Sequence, residues 1–325
     1  MPVIDMPLDK LYTYEGRNPK PADFKGYWER ALKEMHAVVP DMEIKQAAFR
    51  VPFADCYDLY FTGVDGARIH VKYIQPHELP AGVDKFPALL EFHGYSMDSG
   101  DWSSKLAYAA AGFAVFAMDV RGQGGTSSDP GGVFGNTLQG HVTRGLQDGP
   151  DSLFYRSVYL DTVQLADLVM NMNSIDENRV NTTGFSQGGA LALVCAALEP
   201  RIRRTAAVYP FLSDFLRIWE MDLDVEAYQD LRRHFRRFDP VHSQKDEVFR
   251  RLGYIDIQHF MPWVKAEVLM GTGLIDTVCP PSTQFAAFNK LHTVKQIVTF
   301  PDFAHERLPG MHDRIWEFMT RGTQT

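Results

Sequence analysis

One decapeptide limits what this chain can fold into more than any other stretch. Asn181 to Ala190 reads NTTGFSQGGA, with Gly184, Ser186 and Gly188 in Gly-x-Ser-x-Gly spacing. A strand that enters a helix through so tight a turn holds its serine in strained backbone geometry with Oγ exposed, and the neighbours must lack bulk. Gly184, Gly188 and Gly189 meet that demand. Arg179 to Thr183 fits a short strand, and Ala190 to Leu198 (ALALVCAAL) is small, apolar and helix-forming. A glycine-rich turn without chemistry has the same local signature, so the assignment depends on partners for Ser186 elsewhere in the chain.

A serine hydroxyl is a weak nucleophile at neutral pH and needs a base, usually a histidine oriented by a carboxylate. In an α/β-hydrolase these follow in the order Ser, Asp or Glu, His. Asp276 lies in GLIDTVCPP just past a strand at Glu267 to Met270, and His305 lies in PDFAHE just past a strand at Gln296 to Phe300. Both fall at strand C-terminal ends, where open α/β sheets place their chemistry. Taken singly, Asp276 reads more readily as a helix N-cap or turn acid and His305 as a surface loop histidine; chain order, strand ends and elbow together reverse this and select Ser186, Asp276 and His305. His93, in EFHGY, precedes the serine and is out of order for the base, so its expected task is to shape the loop beside an oxyanion hole. That hole needs two backbone donors. The amide of Gln187 supplies one, and Tyr95, after the permissive Gly94, supplies the other.

The rest of the chain gives an α/β frame. Phe24, Tyr27, Trp28, Leu32, Met35 and Val39 recur at helical spacing between Pro21 and Val39, and Pro40 ends the run. Strands at Glu43 to Val51, Tyr57 to Val64 and Arg68 to Ile74, the last two joined by Asp65-Gly66, read as an antiparallel meander. Apolar strands then alternate with helices: Ala88 to Phe92, helix Lys105 to Ala111, Phe113 to Met118, and a long helix Leu153 to Met172. After the elbow come strand Thr205 to Tyr209, helix Thr283 to Leu291 and a last helix to Met319. Such alternation predicts a mostly parallel, helix-covered sheet. Phe211 to Gln258 reads as an irregular insertion. Its run of Arg232, Arg233, Arg236 and Arg237 around His234, Phe235 and Phe238 has the form of an anion site, but a solvated or subunit-facing helix is the favoured reading, and no chemistry is assigned to it.

With 325 residues, 45% of them hydrophobic, the chain is expected to form one domain over residues 1–325, with a helical extension to about residue 40 and the insertion at 211–258. A net charge of −8 without a basic run of the kind that tracks phosphates argues against nucleic acid and favours a neutral or cationic substrate. Cys56, Cys195 and Cys279 are too few and scattered for a disulfide framework or a zinc site, so they read as buried thiols in a reducing compartment. No metal or cofactor is expected. The apolar run Leu106 to Met118 is too short for a membrane span, and the N-terminal residues have no secretory pattern, which predicts a cytoplasmic location.

With these residues in view, the chain resembles carbohydrate esterase family seven, the acetyl xylan esterases and cephalosporin C deacetylases. Three motifs carry the likeness: Arg-Gly-Gln at Arg121 to Gln123, Gly-x-Ser-Gln-Gly at Gly184 to Gly188, and His-Glu at His305 and Glu306. FHGY at Phe92 to Tyr95, YPFLSDF at Tyr209 to Phe215, GLIDTVCPPST at Gly273 to Thr283 and the N-terminal helix extend it from about Leu8 to Met319. The resemblance implies an α/β-hydrolase fold, the triad and oxyanion donors named above, release of acetate from small acetylated sugars, and a homo-hexamer whose inner cavity admits oligosaccharides. Phe185 is bulkier than the family's usual residue before the serine, so local packing should differ. Arg121 and Gln123 are expected to tie loops together by hydrogen bonds, and Glu306 to brace the histidine loop by pairing with Arg121. A general short-chain carboxylesterase and a prolyl-oligopeptidase-like peptidase use the same triad, although no propeller-like repeat precedes it here; a non-catalytic binding protein would have lost a triad member.

Overall fold

The computed structural model describes residues 4–79, 82–130, 136–223 and 225–322, so Asp224 of the insertion lies outside them. The chain opens with a one-turn helix α1 (Leu8–Leu11) and α2 (Phe24–His36), whose buried Phe24, Tyr27, Trp28, Ala31 and Met35 form one stripe. Each large apolar side chain so buried contributes roughly 1.5–3 kcal/mol. Then come β1 (Glu43–Gln46), β2 (Ala54–Thr62), β3 (Arg68–Pro76), β4 (Phe86–Phe92), α3 (Leu106–Ala110), β5 (Ala114–Met118), α4 (Phe154–Met170) and β6 (Ile175–Phe185). They are followed by α5 (Gln187–Leu198), β7 (Arg204–Val208), α6 (Phe215–Glu220), α7 (Gln229–Phe238), α8 (Lys245–Leu252), β8 (Glu267–Gly273), α9 (Pro281–Asn289), β9 (Lys295–Phe300) and α10 (Met311–Thr320).

All nine strands form one sheet in the order β1-β2-β3-β5-β4-β6-β7-β8-β9. β1, β2 and β3 form the expected antiparallel meander, and β3 runs antiparallel to β5. From β5 to β9 every pairing is parallel, giving the α/β-hydrolase arrangement. One face carries α2, α4, α5 and α9, and the other α3 and α10. Residues Gln187 to Ala197 of α5 are all buried; a helix apolar on every side belongs in a core.

Two expectations need correction. The first strand stops at Gln46 and not Val51, because the residues after it leave the ladder and turn tightly into β2, where Val51 bridges Ala54. The insertion is not irregular: it holds α6, α7 and α8, too short for their periodicity to stand out. On α7, Leu231, His234 and Phe235 are buried while Arg232, Arg233, Arg236 and Arg237 face outward, as the favoured reading had it.

The N-terminal segment is stitched to this insertion. Asp214, at the start of α6, accepts from Tyr14 Oη at 2.8 Å, Arg17 N at 3.0 Å and Asn18 N at 2.8 Å. Trp28 Nε1 donates to Tyr254 O at 3.0 Å, and its ring packs on Tyr159 and Phe260.

Candidate active site

Ser186 joins β6 to α5 at φ 55° and ψ −119°, a conformation that costs an L-residue of order 1–3 kcal/mol unless its surroundings fix it. They do. Ser186 N donates to Val208 O at 2.9 Å, and Ser186 O accepts from Phe211 N and Ala190 N at 3.1 Å each. Gly184 and Gly188 are in backbone contact: a Cβ on Gly184 would run into the Gly188 carbonyl, and one on Gly188 into Phe92 O. The small residues flanking the serine thus let α5 start against the ends of β4 and β6.

The loops after β8 and β9 meet at this elbow, joined by Leu274 N to Phe300 O at 2.9 Å and Ile275 N to Phe303 O at 3.1 Å. They bring Asp276 and His305 together. Asp276 is fully buried; its Oδ1 accepts from the amides of Val278 and Cys279 at 2.8 Å each, and its Oδ2 lies 2.8 Å from His305 Nδ1. With the carboxylate so anchored, Nδ1 carries the proton and Nε2 is left as an acceptor, 3.0 Å from Ser186 Oγ. The Tyr209 ring, 4.4 Å between centroids, packs against the imidazole. This arrangement can draw the hydroxyl proton toward Nε2 and hold the resulting imidazolium beside a buried carboxylate.

Opposite lies the loop after β4. Among the described residues neither the Tyr95 nor the Gln187 amide donates to any acceptor, so both remain available to a ligand oxygen. Their loops are held by a buried amide pair. Gln123 Nε2 donates to Gln187 Oε1 at 2.9 Å, Gln187 Nε2 returns to Gln123 Oε1 at 3.0 Å, Ser96 N donates to Gln123 Oε1 at 3.1 Å, and Tyr155 Oη donates to Gln187 Oε1 at 2.8 Å. His93 accepts from Val120 N at 2.9 Å through Nε2 and lies 2.7 Å from Gly94 O through Nδ1, which therefore bears the hydrogen. Burial pushes its pKa down, so it is a neutral brace of the loop. The Tyr95 ring packs edge-on against Phe211 and His141.

Arg121 is buried and ties three segments. It forms a two-pronged pair with Asp161 of α4 at 2.7 and 2.6 Å and donates to Val64 O at 3.2 Å. Burial opposes its charge, but Asp161 and then Asp129 outweigh this and hold its pKa up. The expected pair with Glu306 is not formed: Glu306 is exposed and its carboxylate accepts from Ala304 N at 3.1 Å, two residues back. Phe185 turns away from the nucleophile to stack on His312 at 5.0 Å, which is how the elbow accommodates it.

Tyr155, Asp161 and Tyr209 were not singled out from sequence; the first two lie on a long helix whose pattern reads only as core, Tyr155 reaching Gln187 and Asp161 holding Arg121. Cys279, three residues after Asp276, was read only as a buried thiol. Donor atoms of Asp276, Cys279 and His305 lie within 4.8 Å of one another. The first and last are committed to each other, and burial drives the Cys279 thiol pKa well up, so this set is poorly suited to a metal.

Comparison with known proteins agrees with this geometry. The family described as acetyl xylan esterase (AXE1) matches residues 1–321. Acetyl xylan esterase 1 from Thermoanaerobacterium sp. JW/SL YS485 superposes with a TM-score of 0.94 at 56% identity, covering 98% of this chain and 99% of that one. Acetyl xylan esterase from Paenibacillus sp. R4 gives 0.90 at 34% identity, with 97% and 99% covered. Acetyl esterase Axe7A of Xylanibacter ruminicola is 27% identical over 303 residues, 92% of this chain, which spans only 65% of that protein's length. A likeness that runs from the N-terminal extension through the elbow to the histidine loop leaves no segment to be explained separately, and the chain belongs to the acetyl xylan esterase family.

Proposed function

We propose that this protein is a serine esterase that removes acetyl groups from acetylated xylan fragments, with Ser186 as nucleophile, His305 as base and Asp276 as its orienting carboxylate. The observation that carries this is the continuous hydrogen-bonded chain from Ser186 Oγ through His305 to Asp276. Oγ attacks the acetyl carbonyl carbon while His305 Nε2 takes its proton. The carbonyl electron pair moves onto oxygen, where the Tyr95 and Gln187 amides stabilise it; losing one such donor costs about 3 kcal/mol in comparable sites. On collapse the sugar alkoxide leaves with the proton from His305, and the acetyl group stays on Ser186. Water then gives its proton to His305 and attacks; acetate departs and Oγ regains the proton.

The relatives named above support the substrate class, and short xylo-oligosaccharides are the favoured form of it, with cephalosporin C as a further acetyl ester. We also place the chain in a reducing, cytoplasmic compartment, supported by three buried free cysteines. No helix among the described residues is long and apolar enough to cross a membrane. Two experiments test the reading. A serine-directed fluorophosphonate should label wild type and not Ser186→Ala; full labelling of the variant would remove Ser186 from the mechanism. Esters of one alcohol should lose kcat/KM from acetyl to butyryl to octanoyl, on the proposal that the Tyr95 ring, held edge-on against Phe211, walls the acyl side. Equal values would favour a general carboxylesterase.

A further inference from the structure

Side chains alternate across a strand, and on β4 the residue after Leu90 turns toward α3 and α10. That residue is Glu91, a carboxylate in the middle of a sheet. Across the sheet it pairs with Ala117 of β5 and Thr183 of β6, so these three make the floor of a crevice that opens between α3 and α10. Ala117 is too small to fill the space above it. The resulting cavity holds about 260 Å³, below the roughly 300–1,000 Å³ of drug-sized pockets, so its occupant must be small.

The walls specify that occupant further. Lys105 Nζ lies 4.0 Å from the Glu91 carboxylate. Burial raises the pKa of Glu91 and lowers that of Lys105; whether present as ions or as acid and amine, the pair carries no net charge, which disfavours a charged ligand. Ser99 and Thr183 line the crevice, but both residues are over nine-tenths buried and their hydroxyl oxygens are sealed from it, so the polar group an occupant meets on the floor is the Glu91 carboxyl, on a side chain 23% exposed. A carboxyl group held there can accept hydrogen bonds from the hydroxyls of an uncharged ligand. Tyr108 and Phe185 add ring surface for a C–H face.

We propose that this crevice is a second binding site, separate from Ser186, for a small uncharged polyhydroxy compound such as a pentose or a linear polyol. Its occupant touches Phe185 and His93, the residues immediately before the nucleophile and the oxyanion loop, so binding there is placed to alter both. The inference rests on the crevice alone; the deacetylase reading only suggests the probe.

The test is titration calorimetry of the full chain with D-xylose, xylitol and the charged analogue D-xylonate. Saturable binding of the neutral compounds is expected. Ser104 stands exposed at the mouth, and Ser104→Trp should abolish the binding without entering the core. No saturable heat at the highest soluble concentration, or undiminished binding in Ser104→Trp, would overturn the site. D-xylonate binding as tightly as D-xylose would overturn the uncharged class. Acetate release plays no part in the readout, so a failure of the esterase assignment would be seen separately.

Discussion

Asp276 spends one carboxylate oxygen on two backbone amides and the other on His305, so its charge and its geometry both act on the imidazole. Asp276→Asn keeps the volume but presents an N–H to one of these partners, favouring the wrong imidazole tautomer. Steady-state assays should show kcat lower by on the order of 10⁴; a loss under tenfold would mean that another carboxylate orients His305. Gln123 acts at one remove, through Gln187 and Ser96. Gln123→Leu should lower kcat by about tenfold or more while leaving KM nearly unchanged, because three neutral hydrogen bonds are lost and the loops carrying Tyr95 and Gln187 loosen. A change confined to KM would place Gln123 in substrate binding instead. Gly188→Ala pushes a methyl into Phe92 O and should lower unfolding free energy by about 1–3 kcal/mol in urea titrations. The meeting of Ser186, Asp276 and His305 was legible because each sits at a strand end in a fixed chain order. The Glu306 partner was not, since sequence proximity to His305 says nothing of which way a loop side chain turns, and Arg121 found a carboxylate on α4 instead.

At the scale of elements, the segment after β5 is clamped to its surroundings by a buried charge system. Asp119 accepts from Ser99 N at 2.7 Å and Thr126 N at 3.0 Å and lies 2.7 Å from His70 Nδ1, while His70 Nε2 is 2.9 Å from Asp58. Burial alone would raise the Asp119 pKa, but the His70 contact and the backbone amides outweigh it and the net shift is down. For His70, burial works downward, and hydrogen bonds to Asp119 and then Asp58 carry the net shift up. The signs then set a window. The Asp119 contribution is present above its unfolded value, about 3.9, and is lost as pH falls through its lower folded one; the His70 contribution is present below about 6.5 and is lost as pH rises through its higher folded one. In urea titrations the gap between wild type and Asp119→Asn should shrink on acidification below about pH 4, and the gap to His70→Gln should shrink on the alkaline side. Gaps that do not vary with pH would dissociate these residues from the clamp. This clamp was invisible in the sequence: its members lie on β2, β3 and the loop past β5, and only strand pairing brings them together. By contrast β4, β5, β7 and β8 announced themselves as apolar runs, because a strand covered on both faces has little room for polar residues.

On the scale of the whole molecule, the outward arginines of α7 and the aromatic packing beneath them leave the insertion as the candidate for subunit contact. The proposed hexamer predicts about six times the 36.8 kDa chain mass in light scattering; a monomer at micromolar concentration would reject it. The clasp on Asp214 has a different consequence, one of timing. Tyr14, Arg17 and Asn18 bond to a residue 200, 197 and 196 positions later, and α2 rests on Tyr254 and Phe260, farther still. At about 5–20 residues per second, a ribosome spends roughly 10–40 s between making the two halves of that clasp. Throughout that interval Phe24, Tyr27 and Trp28 have left the tunnel without Tyr254 and Phe260, the later rings that cover them, and α2 is among the last helices to be secured. Its amides should gain hydrogen-exchange protection after those of β6 and α5 in refolding, and protection of α2 first would contradict this order. A nascent chain that shows three large aromatic rings for so long invites holding chaperones, so what limits its yield in a cell is set at its beginning by residues that do not yet exist.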